Sequence, residues 1–227
     1  MSRALLEVTG VRKAYGAAGR EVVAVAGVSA AFRPGTVTAI MGPSGSGKTT
    51  LLSILGLILR PDAGRVEVGG TDVTGYDEGR LPALRRRYFG FVFQAFNLFA
   101  ALTALENVMV SLQLKGVPRG EAPERARRAL ERVGLADRAG FLPRDLSGGE
   151  KQRVSVARAV AADAPIILAD EPTGNLDSRS GRAVVDLLAE LAVEGGKTVV
   201  VVTHDLRLRD RVDRVLWMED GRMREAA

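Results

Sequence analysis

The sequence predicts an α/β fold with a mixed, mostly parallel central sheet, and three observations support this prediction. Apolar segments of strand length alternate with segments of helical periodicity along most of the 227 residues, a pattern typical of strands joined by crossover helices. Thr198–Val202 is almost wholly apolar, as in strands that are buried inside a parallel sheet. Residues from about 95 to 145 are helical in pattern, and we expect them to form a sub-lobe outside the alternating core.

The N-terminal half is expected to contain strands, a glycine-rich loop and one helix. The earliest strands alternate weakly and are expected to form an antiparallel β edge. A turn at Arg33–Gly35 separates them from an apolar run that has the length of a buried strand. The predicted elements are strands at Leu5–Thr9, Glu21–Phe32 (one or two strands), Val37–Met41, Arg65–Val68 and Phe89–Phe93, and a helix from Lys48 to about Leu59.

The C-terminal half is predicted to resume the alternation after the helical block. This block runs from Thr103 to about Leu135, with a break at Gly116–Arg119. No internal repeat is found, so we expect a single domain over residues 1–227. The later predicted elements are helices at Gly149–Ala162 and Ser178–Val193, and strands at Ile166–Ala169, Thr198–Val202 and Val212–Met218.

Composition excludes several classes of protein. Apolar residues make up 46% of the chain, which is typical of a globular domain and unlike a disordered segment. The apolar runs fall short of the roughly 20 residues that a membrane-spanning helix needs. Met1–Val8 contains no apolar stretch of secretory-signal length. We therefore expect a cytoplasmic protein, which another chain must hold if it acts at a membrane.

Cysteine usage and charge exclude further kinds of site and partner. The sequence contains no cysteine, which excludes disulfides, thiol catalysis and cysteine zinc sites. The net charge is +5, but the basic residues are scattered apart from the group Arg85–Arg87. They form no stripe interleaved with aromatic residues, so we expect no nucleic-acid partner.

One glycine-rich segment matches the P-loop pattern, in which four residues separate a glycine from Gly-Lys-Ser/Thr. Glycines let the backbone curl so that several N–H groups point at one anion, and the following helix directs the positive end of its dipole there. Lys48 is expected to reach the β- and γ-phosphates of ATP, and the Thr49 hydroxyl to bind Mg²⁺. The apolar strand and helix on either side disfavour a plain glycine turn and indicate a P-loop NTPase core. The predicted phosphate-binding residues are Gly42, Pro43, Ser44, Gly45, Ser46, Gly47, Lys48, Thr49 and Thr50.

Two acidic residues follow the strand Ile166–Ala169, and the only histidine follows the apolar run Val199–Thr203. The carboxyl ends of parallel strands face the ligand crevice, so these side chains are expected near the P-loop. Asp170 is expected to hold Mg²⁺, and Glu171 to polarise the attacking water. The alternative for either acid is a cap on the following turn. His204 is expected to contact the γ-phosphate, although a lone histidine is more often structural.

A further segment, Leu146-Ser147-Gly148-Gly149-Glu150-Lys151-Gln152-Arg153, resembles the signature sequence of ABC transporter ATPases. Other P-loop enzymes, such as kinases and small GTPases, lack this sequence. Three shorter motifs agree with the same family in order and spacing. They are Gln94 after Phe91–Phe93, Gly174–Asp177 and Thr203–Asp205. The resemblance extends from about residue 5 to residue 224.

This resemblance implies an ATP site that two subunits share. Two copies of the chain are expected to pair head to tail and to bury two ATP molecules between them. The signature residues of one copy would then contact the γ-phosphate that Lys48 of the other copy binds. These residues are Ser147, Gly148 and Gly149.

Two other residues receive roles only through the resemblance. Gln94 is expected to act at the catalytic site as a Mg²⁺ ligand, at the hinge of the sub-lobe. Tyr15 matches the aromatic residue that stacks on adenine in this family. The alternative for Tyr15 is an exposed side chain near a turn.

Three segments resemble one bacterial subgroup of the family, namely Phe91–Leu98, Leu102–Val108 and Glu171–Asp177. The subgroup contains ATPases of macrolide and peptide exporters, of lipoprotein release and of a cell-division complex. It implies an integral membrane permease docked on the sub-lobe, a peripheral location on the inner face of the cell membrane, and export or mechanical work on an extracytoplasmic substrate. An ATPase that regulates a cell-wall hydrolase without transport remains an alternative. A soluble ABC ATPase acting on DNA or ribosomes is disfavoured, since the sequence has one cassette and no coiled-coil insertion.

Overall fold

A computed structural model describes residues 3–16 and 21–225, which form two sheets and six α-helices within those ranges. The strands are β1 (Leu6–Tyr15), β2 (Val22–Phe32), β3 (Thr36–Met41), β4 (Ala63–Val68), β5 (Thr71–Asp72), β6 (Phe89–Phe93), β7 (Ile166–Asp170), β8 (Thr198–Thr203), β9 (Arg214–Glu219) and β10 (Arg222–Glu225). The helices are α1 (Lys48–Leu55), α2 (Leu81–Tyr88), α3 (Ala104–Leu114), α4 (Ala122–Arg132), α5 (Gly148–Ala161) and α6 (Ser178–Val193).

The larger sheet confirms the predicted mixed and mostly parallel core. Its six strands have the order β10-β9-β3-β8-β7-β6. Every neighbouring pair is parallel except β9 and β10, which form an antiparallel hairpin. The crossovers between parallel strands place all their carboxyl ends at one edge, where the ligand crevice of an open α/β sheet lies.

The smaller sheet is the antiparallel edge, with the order β2-β1-β4-β5. The prediction of β1 as Leu5–Thr9 was too short, because the strand continues to Tyr15. Gly10 has a φ of 60° and the pairing shifts register on either side of it. A bulge of this kind bends a strand without ending it, and sequence alone does not distinguish it from a turn.

Both faces of the larger sheet are covered, which explains why its central strand lacks polar alternation. Val200 and Val202 of β8 pack with α1 and the smaller sheet. Val199 and Val201 point the other way and pack with α3, α4, α5 and α6. A parallel strand between two apolar layers is buried on both sides, so nearly every position is apolar.

Helix α1 ends at Leu55, so the prediction that it continues to Leu59 was wrong. A Cβ atom on Gly56 would lie 2.6 Å from the ring of Phe91, and Leu57 adopts a left-handed φ of 56°. The chain turns here because β6 packs against the helix end, a contact from a distant part of the sequence. Helix α2 and the short strands β5 and β10 were also absent from the prediction.

The helical block consists of α3 and α4, which pack against each other and against α5. The buried amide of Asn107 in α3 ties the preceding loop to the helix, since it accepts from the Phe99 N–H and donates to the carbonyls of Phe99 and Leu102. The break between α3 and α4 includes Gly116, whose φ is 78°. Within the described residues, no helix combines the length and apolarity needed to cross a membrane.

Two leucines of α3 provide a matched test of this packing. Leu112 is fully buried, whereas Leu114 is 65% exposed. Leu112→Ala is expected to lower the free energy of unfolding by about 2–5 kcal/mol, and Leu114→Ala by less than about 0.5 kcal/mol. Urea titrations of both variants measure this difference. Equal losses of unfolding free energy in the two variants would contradict the packing in which Leu112 is buried and Leu114 is exposed.

Candidate functional site

The carboxyl ends of the parallel strands bring the predicted catalytic residues to one edge of the larger sheet. Met41 at the end of β3 is in register with Thr203 at the end of β8. Asp170 at the end of β7 is in register with Phe93 on β6. The residues after these strands therefore meet, and they include the phosphate loop, both predicted acids, the histidine and Gln94.

The loop between β3 and α1 holds Lys48 by its own backbone. The Lys48 Nζ donates to the carbonyl oxygens of Gly42 and Pro43, at 2.9 and 2.7 Å. Burial lowers the pKa of Lys48, and the nearby Glu171 and Asp170 carboxylates oppose that shift. The ammonium group is thus buried in the curl of the loop, where its charge can meet phosphate oxygens.

Two glycines of the loop are required by close backbone contacts. A Cβ atom on Gly47 would lie 1.9 Å from the carbonyl oxygen of Ala24 in β2. A Cβ atom on Gly42 would lie 1.9 Å from the carbonyl oxygen of Met218 in β9. Both residues also have positive φ values, 99° and 153°. The loop is therefore wedged between the smaller sheet and the end of the larger one.

The turn between β9 and β10 also supports the loop, and the sequence analysis missed it. Gly221 N–H donates to the carbonyl of Ser46 at 3.1 Å, and its own carbonyl accepts from Ala26 N–H at 2.8 Å. Asp220 and Gly221 have φ values of 46° and 73°, as in a two-residue hairpin turn of type I′. The Asp-Gly pair was the available signal for this hairpin.

Asp170 and Thr49 form the oxygen pair that was predicted to hold Mg²⁺. The Thr49 hydroxyl donates to Asp170 Oδ1 at 3.2 Å. Burial raises the pKa of Asp170, Glu171 raises it further, and the Thr49 hydrogen bond and Lys48 oppose the shift. Hydroxyl and carboxylate oxygens are ligands that Mg²⁺ accepts, and it usually takes its remaining ligands from phosphates and water. The residues present therefore fit the ion.

Glu171 and His204 are in direct contact. Glu171 Oε1 lies 2.8 Å from His204 Nδ1, and Oε2 accepts from the Thr203 hydroxyl at 3.0 Å. Glu171 has a left-handed φ of 45°, and its N–H donates to the carbonyl of Val202 at 2.8 Å. Strained backbone of this kind is concentrated at functional sites. The side chain of Glu171 is 14% exposed and that of His204 is 60% exposed.

Gln94 follows β6 on the same edge, beside the segment Gly174–Asp177. Its backbone carbonyl accepts from Asn175 Nδ2 at 3.1 Å. A Cβ atom on Gly174 would lie 3.0 Å from Gln94 Nε2, so the side chain of Gln94 packs against this segment. Its carboxamide is exposed at the edge that also carries Glu171.

The signature segment lies beside the segment that follows Glu171. Ser147 caps α5, since its Oγ accepts from the Glu150 N–H and its own N–H donates to Glu150, and none of its described hydrogen bonds goes to the phosphate loop. Gly148 faces the carbonyl of Asn175, and a Cβ atom on Gly149 would lie 2.7 Å from Ser180 Oγ. The signature therefore packs against the segment after Glu171, and none of its described hydrogen bonds reaches the phosphate loop.

Tyr15 lies at the end of β1, opposite Val22 of β2. Its side chain is 47% exposed. Two residues beyond Val22, the β2 backbone at Ala24 contacts Gly47 of the phosphate loop. Tyr15 is thus an exposed aromatic residue on the sheet that supports the loop.

A family model described as "ABC transporter" matches residues 25–174. The macrolide export ATP-binding/permease protein MacB of Rhodopseudomonas palustris is 44% identical over 97% of this chain and 34% of its own length. An uncharacterized ABC transporter ATP-binding protein of Thermotoga maritima is 47% identical over 96% of this chain and 93% of its own length. The chain thus spans about a third of the MacB relative.

A solved structure is similar along almost the whole chain. It is the ATP-binding cassette MJ0796, a dimer in a post-hydrolysis state bound to ADP and Pi. The two chains are 40% identical and superimpose with a TM-score of 0.89, over 97% of this chain and 98% of that one.

The contact of Gly47 with β2 can be tested against another glycine of the same loop. Gly45 has a φ of 79° but open space around its Cβ position. Gly45→Ala is expected to cost about 1 kcal/mol of stability through backbone strain alone. Gly47→Ala is expected to cost about 3 kcal/mol, because β2 must also move away from the new methyl group. Urea denaturation measures both costs, and similar values would contradict the wedged geometry.

Proposed function

Because this chain belongs to the ABC transporter family, we propose that it binds and hydrolyses ATP as one of two identical subunits that drive a membrane permease. One observation carries the proposal. The larger sheet brings the phosphate loop, the Thr49–Asp170 pair and the Glu171–His204 pair to a single edge. That edge offers a phosphate cradle, a Mg²⁺ site and a base for water, which are the three requirements of ATP hydrolysis.

The phosphate loop and its neighbours are suited to bind ATP and Mg²⁺. Residues Gly42–Thr50, apart from Pro43, provide backbone N–H groups at the start of α1, and Lys48 provides a cation among them. Thr49 and Asp170 would hold Mg²⁺, with Gln94 as a further oxygen ligand from the end of β6. The bound ion would neutralise charge on the phosphate oxygens. Tyr15 would stack on adenine beside the loop.

Glu171 would act as the general base. Its two carboxylate oxygens are oriented by His204 and by the Thr203 hydroxyl, so it can accept a proton from a water in a fixed direction. The Nδ1 atom of His204 faces Glu171, which leaves Nε2 as the nitrogen for a γ-phosphate oxygen. His204 would thus both orient the base and contact the substrate.

A second copy of the chain would complete the site. Within one chain no described hydrogen bond joins the signature to the phosphate loop, although its Ser147 hydroxyl and the start of α5 are suited to bind phosphate. The dimeric state of the similar cassette MJ0796, bound to ADP and Pi, supports a pairing in which Ser147, Gly148 and Gly149 reach the other copy's γ-phosphate. Hydrolysis would then require both copies.

The permease would dock on a groove beside the sub-lobe. This groove has a volume of about 400 Å³ and an apolar floor that includes Phe91, Phe99 and Leu114. Its charged lining residues are all basic, namely Arg85, Arg86, Lys115 and Arg158. The name of the MacB relative includes a permease. This supports a membrane-embedded partner, which the chain would contact at the cytoplasmic face of the membrane. Because that relative is named for macrolide export, we favour for this chain the export of a drug, peptide or lipoprotein over the regulation of a cell-wall hydrolase.

The shared site can be tested with Glu171→Gln, which removes the proposed base and keeps its shape. This variant is expected to bind ATP, to lose about 100-fold or more of the hydrolysis rate, and to shift from monomer to dimer when ATP and Mg²⁺ are added. Size-exclusion chromatography with light scattering measures the shift. Lys48→Ala in the same background is the control, since it should lose nucleotide and remain monomeric. A variant that binds ATP tightly and stays monomeric would argue against a trans-acting signature.

The hinge role of Gln94 has a separate test. Gln94→Ala is expected to reduce permease-stimulated ATP turnover by about tenfold or more, while the dissociation constant for ATP changes by less than about threefold. Turnover in proteoliposomes and fluorescent-nucleotide titrations measure the two effects. Equal losses in both would indicate that Gln94 serves binding alone.

A further inference from the structure

A salt bridge joins the signature segment to a turn that precedes it in the chain. Arg138, in a 3₁₀ turn at Ala136–Arg138 between α4 and α5, donates from Nε to Glu150 Oε1 at 3.0 Å. Glu150 belongs to the signature, in the first turn of α5. The side chain of Glu150 is 20% exposed and that of Arg138 is 45% exposed.

Glu150 also fixes the residue that is proposed to contact phosphate. Its other oxygen, Oε2, accepts from the Ser147 N–H at 2.8 Å, and the Glu150 N–H donates to Ser147 Oγ at 3.3 Å. This reciprocal arrangement is a capping box. The Ser147 amide, the Ser147 hydroxyl and then Arg138 lower the pKa of Glu150. Glu150 is therefore a carboxylate whose two oxygens face different partners.

A carboxylate at this position opposes the proposed function unless its charge is compensated. Ser147 is expected to meet a γ-phosphate, and Glu150 places a like charge in the same helical turn. When the Ser147 hydroxyl turns towards phosphate, the Glu150 N–H loses its acceptor and the cap is weakened. Arg138 remains on the opposite oxygen and can carry the compensation, because opposite charges in contact cancel much of each other's field.

A second capping box in the chain shows that the arginine is not needed for capping. At the start of α3, Glu106 accepts from the Thr103 N–H and hydroxyl, both at 2.8 Å. Among the ion pairs of the described residues, none involves Glu106. The same cap geometry thus forms with an uncompensated carboxylate where no phosphate is expected.

The position of Arg138 is itself fixed. Its guanidinium carbon lies 4.9 Å from the centre of the Phe141 ring, within the range of a cation–π contact. The carbonyl of Phe141 accepts from the Ala104 N–H at the start of α3, at 2.8 Å. Arg138 therefore reaches Glu150 from a turn that is anchored to the sub-lobe.

We propose that Arg138 is a positioning residue of the signature, which cancels the charge of Glu150 and so allows Ser147 to approach the γ-phosphate bound by a second copy. This inference rests on the proposed shared site. Exposed ion pairs contribute little to stability, so the effect is expected in ATP-driven pairing of the subunits and not in folding.

The experiment compares charge variants in the Glu171→Gln background, where hydrolysis does not interfere. The set is Arg138→Gln, Arg138→Lys, Glu150→Gln and the double variant Arg138→Gln/Glu150→Gln. Glutamine at position 150 retains the capping geometry without the charge. Arg125→Gln is the matched control, because Arg125 pairs with Glu121 at 2.9 Å on α4, outside the signature. Sedimentation velocity with ATP and Mg²⁺ gives the dimer dissociation constants, and a thermal melt of each variant gives its Tm.

Arg138→Gln is expected to weaken ATP-driven dimerisation by about tenfold, which corresponds to about 1.4 kcal/mol shared by two signatures. The loss should shrink in 0.5 M NaCl, where charges are screened within about 4 Å. Arg138→Lys should recover most of the affinity, and Arg138→Gln should have little effect when Glu150 is already glutamine. ATP affinity of the monomer and the behaviour of Arg125→Gln should match the parent.

Three results would overturn the proposal. Equal losses from Arg138→Gln in the glutamate and glutamine backgrounds would show that Arg138 does not act through the charge of Glu150. If Arg138→Gln lowers the Tm and Glu150→Gln does not restore it, Arg138 has a structural role. If Arg138→Gln leaves ATP-driven dimerisation unchanged, the Arg138–Glu150 pair has no role in pairing of the subunits. Failure of the Glu171→Gln parent to dimerise would instead refute the shared site, and this inference with it.

Discussion

The shape of the phosphate loop depends on close backbone packing from two sides, and the rest of the site is arranged around that loop. The carbonyls of Ala24 in β2 and Met218 in β9 occupy the space that Cβ atoms of Gly47 and Gly42 would need. These contacts fix the curl of the loop, and Lys48 is bonded to the loop carbonyls. Preorganised donors of this kind need little rearrangement when an anion binds. The antiparallel sheet and the C-terminal hairpin are therefore structural requirements of the phosphate site.

The parallel pairing of the larger sheet accounts for the remaining groups. Because β3, β7 and β8 run in the same direction, residues that follow them share one edge even though they lie far apart in sequence. Applied to the sequence, this rule predicted that Asp170 and His204 lie near the phosphate loop. Asp170 accepts from Thr49 of the loop, and His204 contacts Glu171, the residue after Asp170. The rule did not predict the left-handed backbone of Glu171. That conformation depends on Val202, Thr203 and His204, whose contacts with Glu171 appear only in the folded chain.

The features that sequence could not predict share one physical cause, which is contact between distant segments. Local patterns located most strands and helices, but α1 ends early because β6 packs against Gly56. Helix α2 carries three consecutive arginines and buries only Leu81, so it has no clear apolar periodicity. The Asp220–Gly221 turn was readable as a hairpin, yet nothing local indicates that it supports Ser46. Motifs indicated the residues that are proposed to meet the ligand, whereas the residues that support them could be identified only from the fold.

Helix α5 connects parts of the site that are far apart. Its N-terminus carries the signature, and near its other end Arg158 donates to the carbonyl of Phe96, at 2.9 Å, and to that of Asn97. Both residues have left-handed φ values, 59° and 49°, which cost about 1–2 kcal/mol each for residues other than glycine. Because α5 spans 14 residues, or about 21 Å at the usual helical rise, it holds the signature at a fixed distance from the segment after Gln94. A change in the conformation of that segment can therefore reach the signature through movement of α5 together with the sub-lobe helices packed on it, or through Asn175, which contacts both Gln94 and Gly148.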